Sequence, residues 1–405
     1  MTTFLKRMVA TMALGIMGTT VQAAQSDDQQ YWNQILERAK GQTVYFNAWG
    51  GSQVINDYIR WAADRVEAEY AVSVKHVKVT DTGDVVSRVL AQKTAGRDSD
   101  GSVDLVWING ENFKAMKQHG LLSAPFTADL PNYALVDVEN KPSTLFDFTT
   151  PVEHLEAPWG MAQLVFSYDS AHIETPPNSM HELLQLLEKY PGRFTYPALP
   201  NFHGTTFVKQ ALLELVEDPS VLSEDVSKAD FARVTAPLWQ YLDKLHPLMW
   251  RQGKAFAQGA PQMKSLMNDG EILLSFSFNP NDVANAIAND ELPHSVKSYV
   301  HTKGSLGNSH FVAIAFNAKA NEGAQVFANF LLSPEAQLRK ADIAVWGDPT
   351  VLAMSKLSVS QRQAFTEQMS APGQLNSEQL GRVLAEPHSS WVSALEKAWL
   401  ARYAQ

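Results

Sequence analysis

The sequence runs to 405 residues, with 43 acidic side chains against 33 Lys+Arg, a formal net charge of −10 and no cysteine. So acidic a chain is poorly suited to neutralising nucleic-acid phosphates, and no polybasic face is available for an anionic membrane. The absence of cysteine excludes disulfides, thiol catalysis and a lipid-modified N-terminal Cys, so stability must come from the core alone.

Lys6 and Arg7, the uncharged run Met8–Gly18 and the small residues before the polar stretch at Gln25 predict a cleavable export signal over residues 1–23. The apolar run is well short of the ~20 residues that span a bilayer. Cleavage after Ala23 leaves 31 Lys+Arg against 43 acids, about −12, and predicts a freely diffusing periplasmic monomer with no membrane insertion.

Thr43–Phe46 reads as a strand, and Val54, Ile55, Tyr58, Ile59, Ala62 and Val66 follow at helical spacing. Val72–Val79 is a second strand, Val85, Val86, Val89 and Leu90 a second helix, and Val103–Trp107 a third strand before a helix from Phe113. This β-α-β-α-β order predicts an α/β fold with a mostly parallel sheet covered on both faces. Met161–Tyr168 is a long β run, read as the first crossing into a second α/β region. That region has helices over Met180–Lys189, Thr205–Val216 and Phe231–Leu245, and a strand at Arg193–Tyr196. Ile272–Phe278 reads as the strand that carries the chain back, and Phe311–Phe316 as another. Near the C-terminus Ser333, Pro334 and Glu335 mark a helix start. The boundaries that follow are 24–162 and 275–315 for one lobe, and 163–274 and 316–405 for the other.

In open α/β sheets ligands bind where strands hand over to helices, and four such places carry small or polar residues. At Trp49-Gly50-Gly51-Ser52 the glycines permit a tight turn, Ser52 is placed to cap the next helix, and Trp49 offers a stacking face. The plainer reading is a turn with a core Trp. Asn109, Glu111 and Asn112 surround Gly110 with amides and a carboxylate, or else simply cap a helix. Trp159, in Pro158-Trp159-Gly160, would stack from the floor at the crossing, or pack at the junction. Tyr196 and the run His203-Gly204-Thr205-Thr206 put a second helix N-terminus opposite the first. Ser277, Asn279 and Asp282 add polar groups after a strand, and Trp346-Gly347 could close one side.

No Gly-x-Ser-x-Gly elbow, P-loop or His-Glu-x-x-His occurs. The nearest two histidines, His294 and His301, are seven apart, so no helical i, i+4 metal pair exists and neither metal nor cofactor is expected.

The segment Phe327–Gln337, with the signal, the Val103–Trp107 strand leading to Asn109-Gly110-Glu111, the Pro158-Trp159-Gly160 crossing and Phe311–Asn317 in this order, resembles bacterial extracellular solute-binding proteins. It is most similar to the YnjB-type subgroup, near the thiamine- and iron-binding branch. The resemblance implies a two-lobed, type II periplasmic-binding-protein-like fold with hinge strands, a solute clamped between the lobes and docking on the permease of an ABC importer. It also implies the cleft residues Trp49, Gly51, Ser52, Asn109, Glu111, Trp159, Tyr196, Gly204, Thr205, Ser277 and Asn279. Ferric-binding relatives use an adjacent Tyr pair, which this chain lacks. The expected solute is small, polar and organic. The competing readings are an exported hydrolase, for which Glu111 and Asp282 are the carboxylate pair to test, and an adhesion or chaperone-like protein with a large exposed apolar patch.

Overall fold

The computed structural model describes residues 29–368, 374–375 and 377–404; the export signal lies outside the described residues. A helix over 29–39 (α1) precedes β1 (Thr43–Trp49), α2 (Gln53–Tyr70), β2 (Ser73–Val79), α3 (Thr82–Thr94), β3 (Leu105–Ile108) and α4 (Glu111–Gln118). Val44, Phe46 and Ala48 alternate inward from β1. Ile55, Tyr58, Ile59, Ala62 and Val66, three or four apart, line the face of α2 that covers them. β1 pairs in parallel with β2 (Thr43 opposite Ser73) and with β3 (Phe46 opposite Leu105). On the other face Val85 and Val89 of α3 and Phe113 and Met116 of α4 close a second apolar layer. The predicted β-α-β-α-β unit, covered on both faces, is present.

The hairpin of β4 (Phe146–Asp147) and β5 (Thr150–Pro151) leads into β6 (Glu156–Gln163), and β7 (Val165–Asp169) follows after one residue. The chain crosses at that residue, where the Leu164 N–H donates to Leu306 O at 2.7 Å. The second lobe then builds α5 (Met180–Lys189), α6 (Phe202–Leu215), α7 (Phe231–Leu245), α8 (Ala260–Asn268), β8 (Leu274–Ser277), α9 (Asp282–Ala288) and β9 (Val296–Tyr299). Its sheet is a small antiparallel one, in the order β8-β7-β9. Arg193–Tyr196 forms no strand. It runs beside Leu273 and Trp250 through single bonds (Leu273 N to Arg193 O, 2.9 Å; Trp250 N to Phe194 O, 2.8 Å), and Pro197 after it cannot donate to a ladder.

β10 (Ser305–Ile314) returns to the first sheet, antiparallel to both β3 and β6. It is followed by α10 (Asn321–Leu331), α11 (Pro334–Ala341), α12 (Val359–Gln368), α13 (Ser377–Leu380), β11 (Val383–Leu384) and α14 (Ser389–Tyr403). The sheet order is β11-β10-β3-β1-β2, with β6 also on β10. Each lobe has its own main core. Val44, Phe46, Trp159 and Phe327 belong to one, and Phe166, Phe207, Leu238 and Trp391 to the other.

These cores redraw the expected boundaries. β8 and β9 stay in the second lobe, so the return is β10 and not Ile272–Phe278. Phe327, Phe330 and Ala336 of α10 and α11, with Phe365 of α12, pack into the first core. Trp391, Leu395 and Trp399 of α14 join the second. The helix start at Ser333 is as expected, the hydroxyl accepting from Ala336 N at 3.1 Å with Pro334 at the first position. Ser333→Ala is expected to cost about 1 kcal/mol in urea unfolding. Ser52 differs: its hydroxyl makes no capping bond, and the Asn56 amide instead donates to Gly50 O at 3.1 Å.

Candidate functional site

The lobes meet along α6. Asn201 starts that helix by accepting from His203 N at 3.0 Å, and a Cβ on Gly204 would overlap the Pro197 carbonyl oxygen, so only glycine lets the helix approach so closely. At the end of β1 the half-buried Trp49 folds its indole over Gly51, where a side chain would overlap the ring. The Trp49 and His203 ring centroids are 6.4 Å apart across the gap. Burial holds His203 down at about 4, so it is neutral at physiological pH. Further along α6, Lys209 Nζ lies 4.4 Å from the ring centroid of Phe148, at the tip of the first lobe's β4–β5 hairpin.

Around Lys209 the site is acidic. Its ammonium donates to Glu386 Oε2 at 2.6 Å, with both side chains almost fully buried. Asn308 of β10 donates to Glu386 Oε1 at 3.3 Å. Glu111 opens α4, and burial raises its carboxyl above the ordinary range. Asp147 is buried on the Gly110 N–H, at 2.8 and 2.7 Å to its two oxygens, and burial pushes it well up. Glu396 of α14 accepts from Thr205 Oγ1 at 2.8 Å; burial, with Glu111 adding, brings it up to about 7.

A second strap joins the lobes. Asn279 Nδ2 donates to Trp346 O at 3.2 Å and Asn281 Nδ2 to Gly347 O at 2.7 Å, from the start of α9 to the loop after α11. Behind that loop His310 stacks on Trp346 (6.2 Å, 19°) and meets the half-buried Trp107 edge-on at 5.3 Å. His310 Nε2 lies 3.0 Å from Asp348, which is also held by Lys340. Burial opposes the charge on Asp348, but those two partners keep its carboxyl below the usual range.

A family model described as bacterial extracellular solute-binding protein matches residues 61–365. The chain belongs to that family. It is 45% identical to the protein YnjB of Escherichia coli (strain K12) over 390 residues, covering 96% of this chain and 97% of the relative. Its fold resembles that of the periplasmic binding protein AfuA from Actinobacillus pleuropneumoniae with fructose-6-phosphate bound (TM-score 0.61, 15% identity, 90% of this chain and 99% of that one). It also resembles the spermidine/putrescine ABC transporter substrate-binding protein PotD from Streptococcus pneumoniae (TM-score 0.55, 16% identity, 88% and 99%). Both likenesses show the fold: this chain has the two-lobed architecture of type II periplasmic binding proteins. Their named solutes carry opposite charges, so the fold leaves the solute's charge open. Among the described residues no helix is long and apolar enough to cross a membrane.

In this solute-binding protein the expected site residues do not all lie together. Trp49, Gly50, Gly51, Ser52, Asn109, Glu111 and Asn112 lie on the first lobe's strand-to-helix turns, and His203, Gly204 and Thr205 lie at the start of α6. Asn279 bridges the lobes. Ser277 and Asp282 instead line a small cavity with Ser167 and Lys264 inside the second lobe, Asp282 pairing with Lys264 at 3.3 Å. Glu111 and Asp282 therefore head separate clusters and do not make the facing carboxylate pair that the hydrolase reading needs. Thr206 back-bonds to Phe202 O at 2.8 Å within its helix.

Two expectations are corrected outright. Trp159 is fully buried in the first core, enclosed by Phe46, Tyr58, Trp107 and Trp346. Tyr196 is fully buried in the second, its hydroxyl 2.6 Å from His246 Nε2 and accepting from Trp399 Nε1 at 2.9 Å. Both stand beside prolines at apparent junctions, and neighbouring aromatics drew them inward. Lys209, Glu386, Glu396, Phe148 and Asn308 were not anticipated. One signal was available: Lys209 is the only charged side chain between Phe202 and Leu213 in a helix otherwise apolar or small around most of its circumference.

Proposed function

We propose that this chain captures a small polar organic solute between α6 and the C-terminal ends of β1 and β3, and delivers it to the membrane permease of an ABC importer. It would be exported to the periplasm and act there as a freely diffusing monomer. The observation that supports this reading most is the meeting of two independently cored lobes along one line of polar and aromatic groups, from Trp49–His203 to Phe148–Lys209. Among the described residues the chain crosses between the lobes near Leu164 and near Ser305, and a hinge at these crossings suits the clamp. A solute that touches both lobes favours the closed arrangement by its differential affinity. A hundred-fold shift needs only about 2.7 kcal/mol, which one stacked ring and a few hydrogen bonds supply.

Trp49→Ala is expected to weaken solute binding about ten- to hundredfold while unfolding stays cooperative. The check is native mass spectrometry to identify the solute that co-purifies, followed by calorimetry with that solute on both proteins. Undiminished affinity in the variant would remove Trp49 from the site.

A further inference from the structure

The charge at the α4–α6–α14 junction does not balance. Glu111 lies within electrostatic reach of Asp147, Glu386 and Glu396 there, and Lys209, the ammonium these acids share, is already engaged by Glu386 and by the Phe148 ring. A second observation is independent of the acids. Asn308, 97% buried, donates to Glu386 from Nδ2, which places its amide in the cluster, yet its Oδ1 has no hydrogen-bond partner among the described residues. A buried acceptor left without a donor costs about 1–3 kcal/mol by general experience, so such groups usually have an absent partner. That partner must donate. A positive charge on it would favour the ionised form of the carboxyls around it, which burial otherwise opposes. The partner an amide oxygen accepts from is an N–H or O–H group, and among the described residues no group of three or more His, Asp or Glu side chains could hold a metal ion.

We propose that the solute taken by this clamp is an organic cation, whose ammonium-type N–H groups donate to Glu111, Glu396 and the Oδ1 of Asn308. The proposal rests on the clamp reading above and adds the sign of the solute's charge. The raised carboxyl of Glu396 fits it. Without a solute, Glu396 faces Glu111 on α4, Asp81 at the start of α3 and Lys209 on α6, and burial among these keeps it half-protonated near pH 7. A cation must displace that proton when the pH lies below about 7. Affinity should therefore be full above pH 8 and fall as the pH drops through about 7 towards 5.

The test titrates the chain, stripped of co-purified solute by unfolding and refolding, with 1,4-diaminobutane, choline and thiamine as cations, fructose 6-phosphate as an anion and glucose as a neutral compound. Calorimetry gives affinity, and small-angle scattering gives closure. At least one cation is expected to bind and compact the chain. Glu111→Gln and Glu396→Gln, made separately, should each weaken it about tenfold, and Glu396→Gln should also flatten the fall in affinity between pH 8 and 6. Compaction by glucose or fructose 6-phosphate in preference to every cation overturns the charge assignment and leaves the clamp standing. So does a bound cation indifferent to both substitutions. No compaction by any of the five overturns both.

Discussion

Trp159→Ala is expected to destabilise the first lobe by about 3–5 kcal/mol, the range for emptying a buried large aromatic position. The indole is fully buried, stacked near Tyr58 at 6.3 Å and met edge-on by Trp107 at 5.0 Å and by Phe46 at 6.4 Å. Its Nε1 has no partner among the described residues, so no hydrogen bond is lost and the cost comes from cavity and packing. The measurement is urea unfolding without solute, followed through the fluorescence of the first lobe's remaining tryptophans, with the two lobes allowed separate transitions. A ligand-floor residue would behave in the opposite way, with normal stability and lost binding. Trp49→Ala serves as that contrast in the same experiment.

Lys209→Met should cost as much by a different route. Its ammonium and the Glu386 carboxylate are 2% and 1% exposed, so removing the cation leaves a buried carboxylate held, among the described residues, by the Asn308 amide alone. Breaking a buried pair on one side typically costs about 3–5 kcal/mol, because the surviving charge is stranded. Lys209→Met combined with Glu386→Gln should recover most of that loss, since no charge is then left without a partner. Thermal unfolding of the two single variants and the double variant gives the coupling directly. If the double variant loses the sum of the two singles, the pair contributes nothing as a pair. Because Lys209 also sits on Phe148 of the opposite lobe, the same variants should leave the lobes less firmly closed, which small-angle scattering would read as a larger radius of gyration.

Local pattern was enough for much of the molecule. Apolar residues three or four apart announce α2, α5 and α7, valine-rich runs announce β1 to β3, and Ser333-Pro334-Glu335 announces α11, because each signal depends only on neighbours along the chain. The turns carrying Trp49 and Glu111 were legible for the same reason, since small residues between a strand and a helix leave backbone and side chains open at a sheet edge; α6 was legible as a helix, but it starts at Phe202, ahead of the expected Thr205. Lobe membership was not legible. An apolar strand such as β8 suits either sheet, and an amphipathic helix such as α10 suits either core, until long-range pairing chooses; β8 pairs with β7 and α10 with the first core. The same holds for Trp159 and Tyr196. An aromatic ring is equally suited to a cleft floor and a core, and only the residues brought around it from distant parts of the chain decide which. The acidic junction is the strongest case. Glu111, Asp147, Lys209, Asn308, Glu386 and Glu396 are scattered over nearly 300 residues of sequence, and their charges influence one another only once folding places them within hydrogen-bonding and Coulombic reach with water excluded.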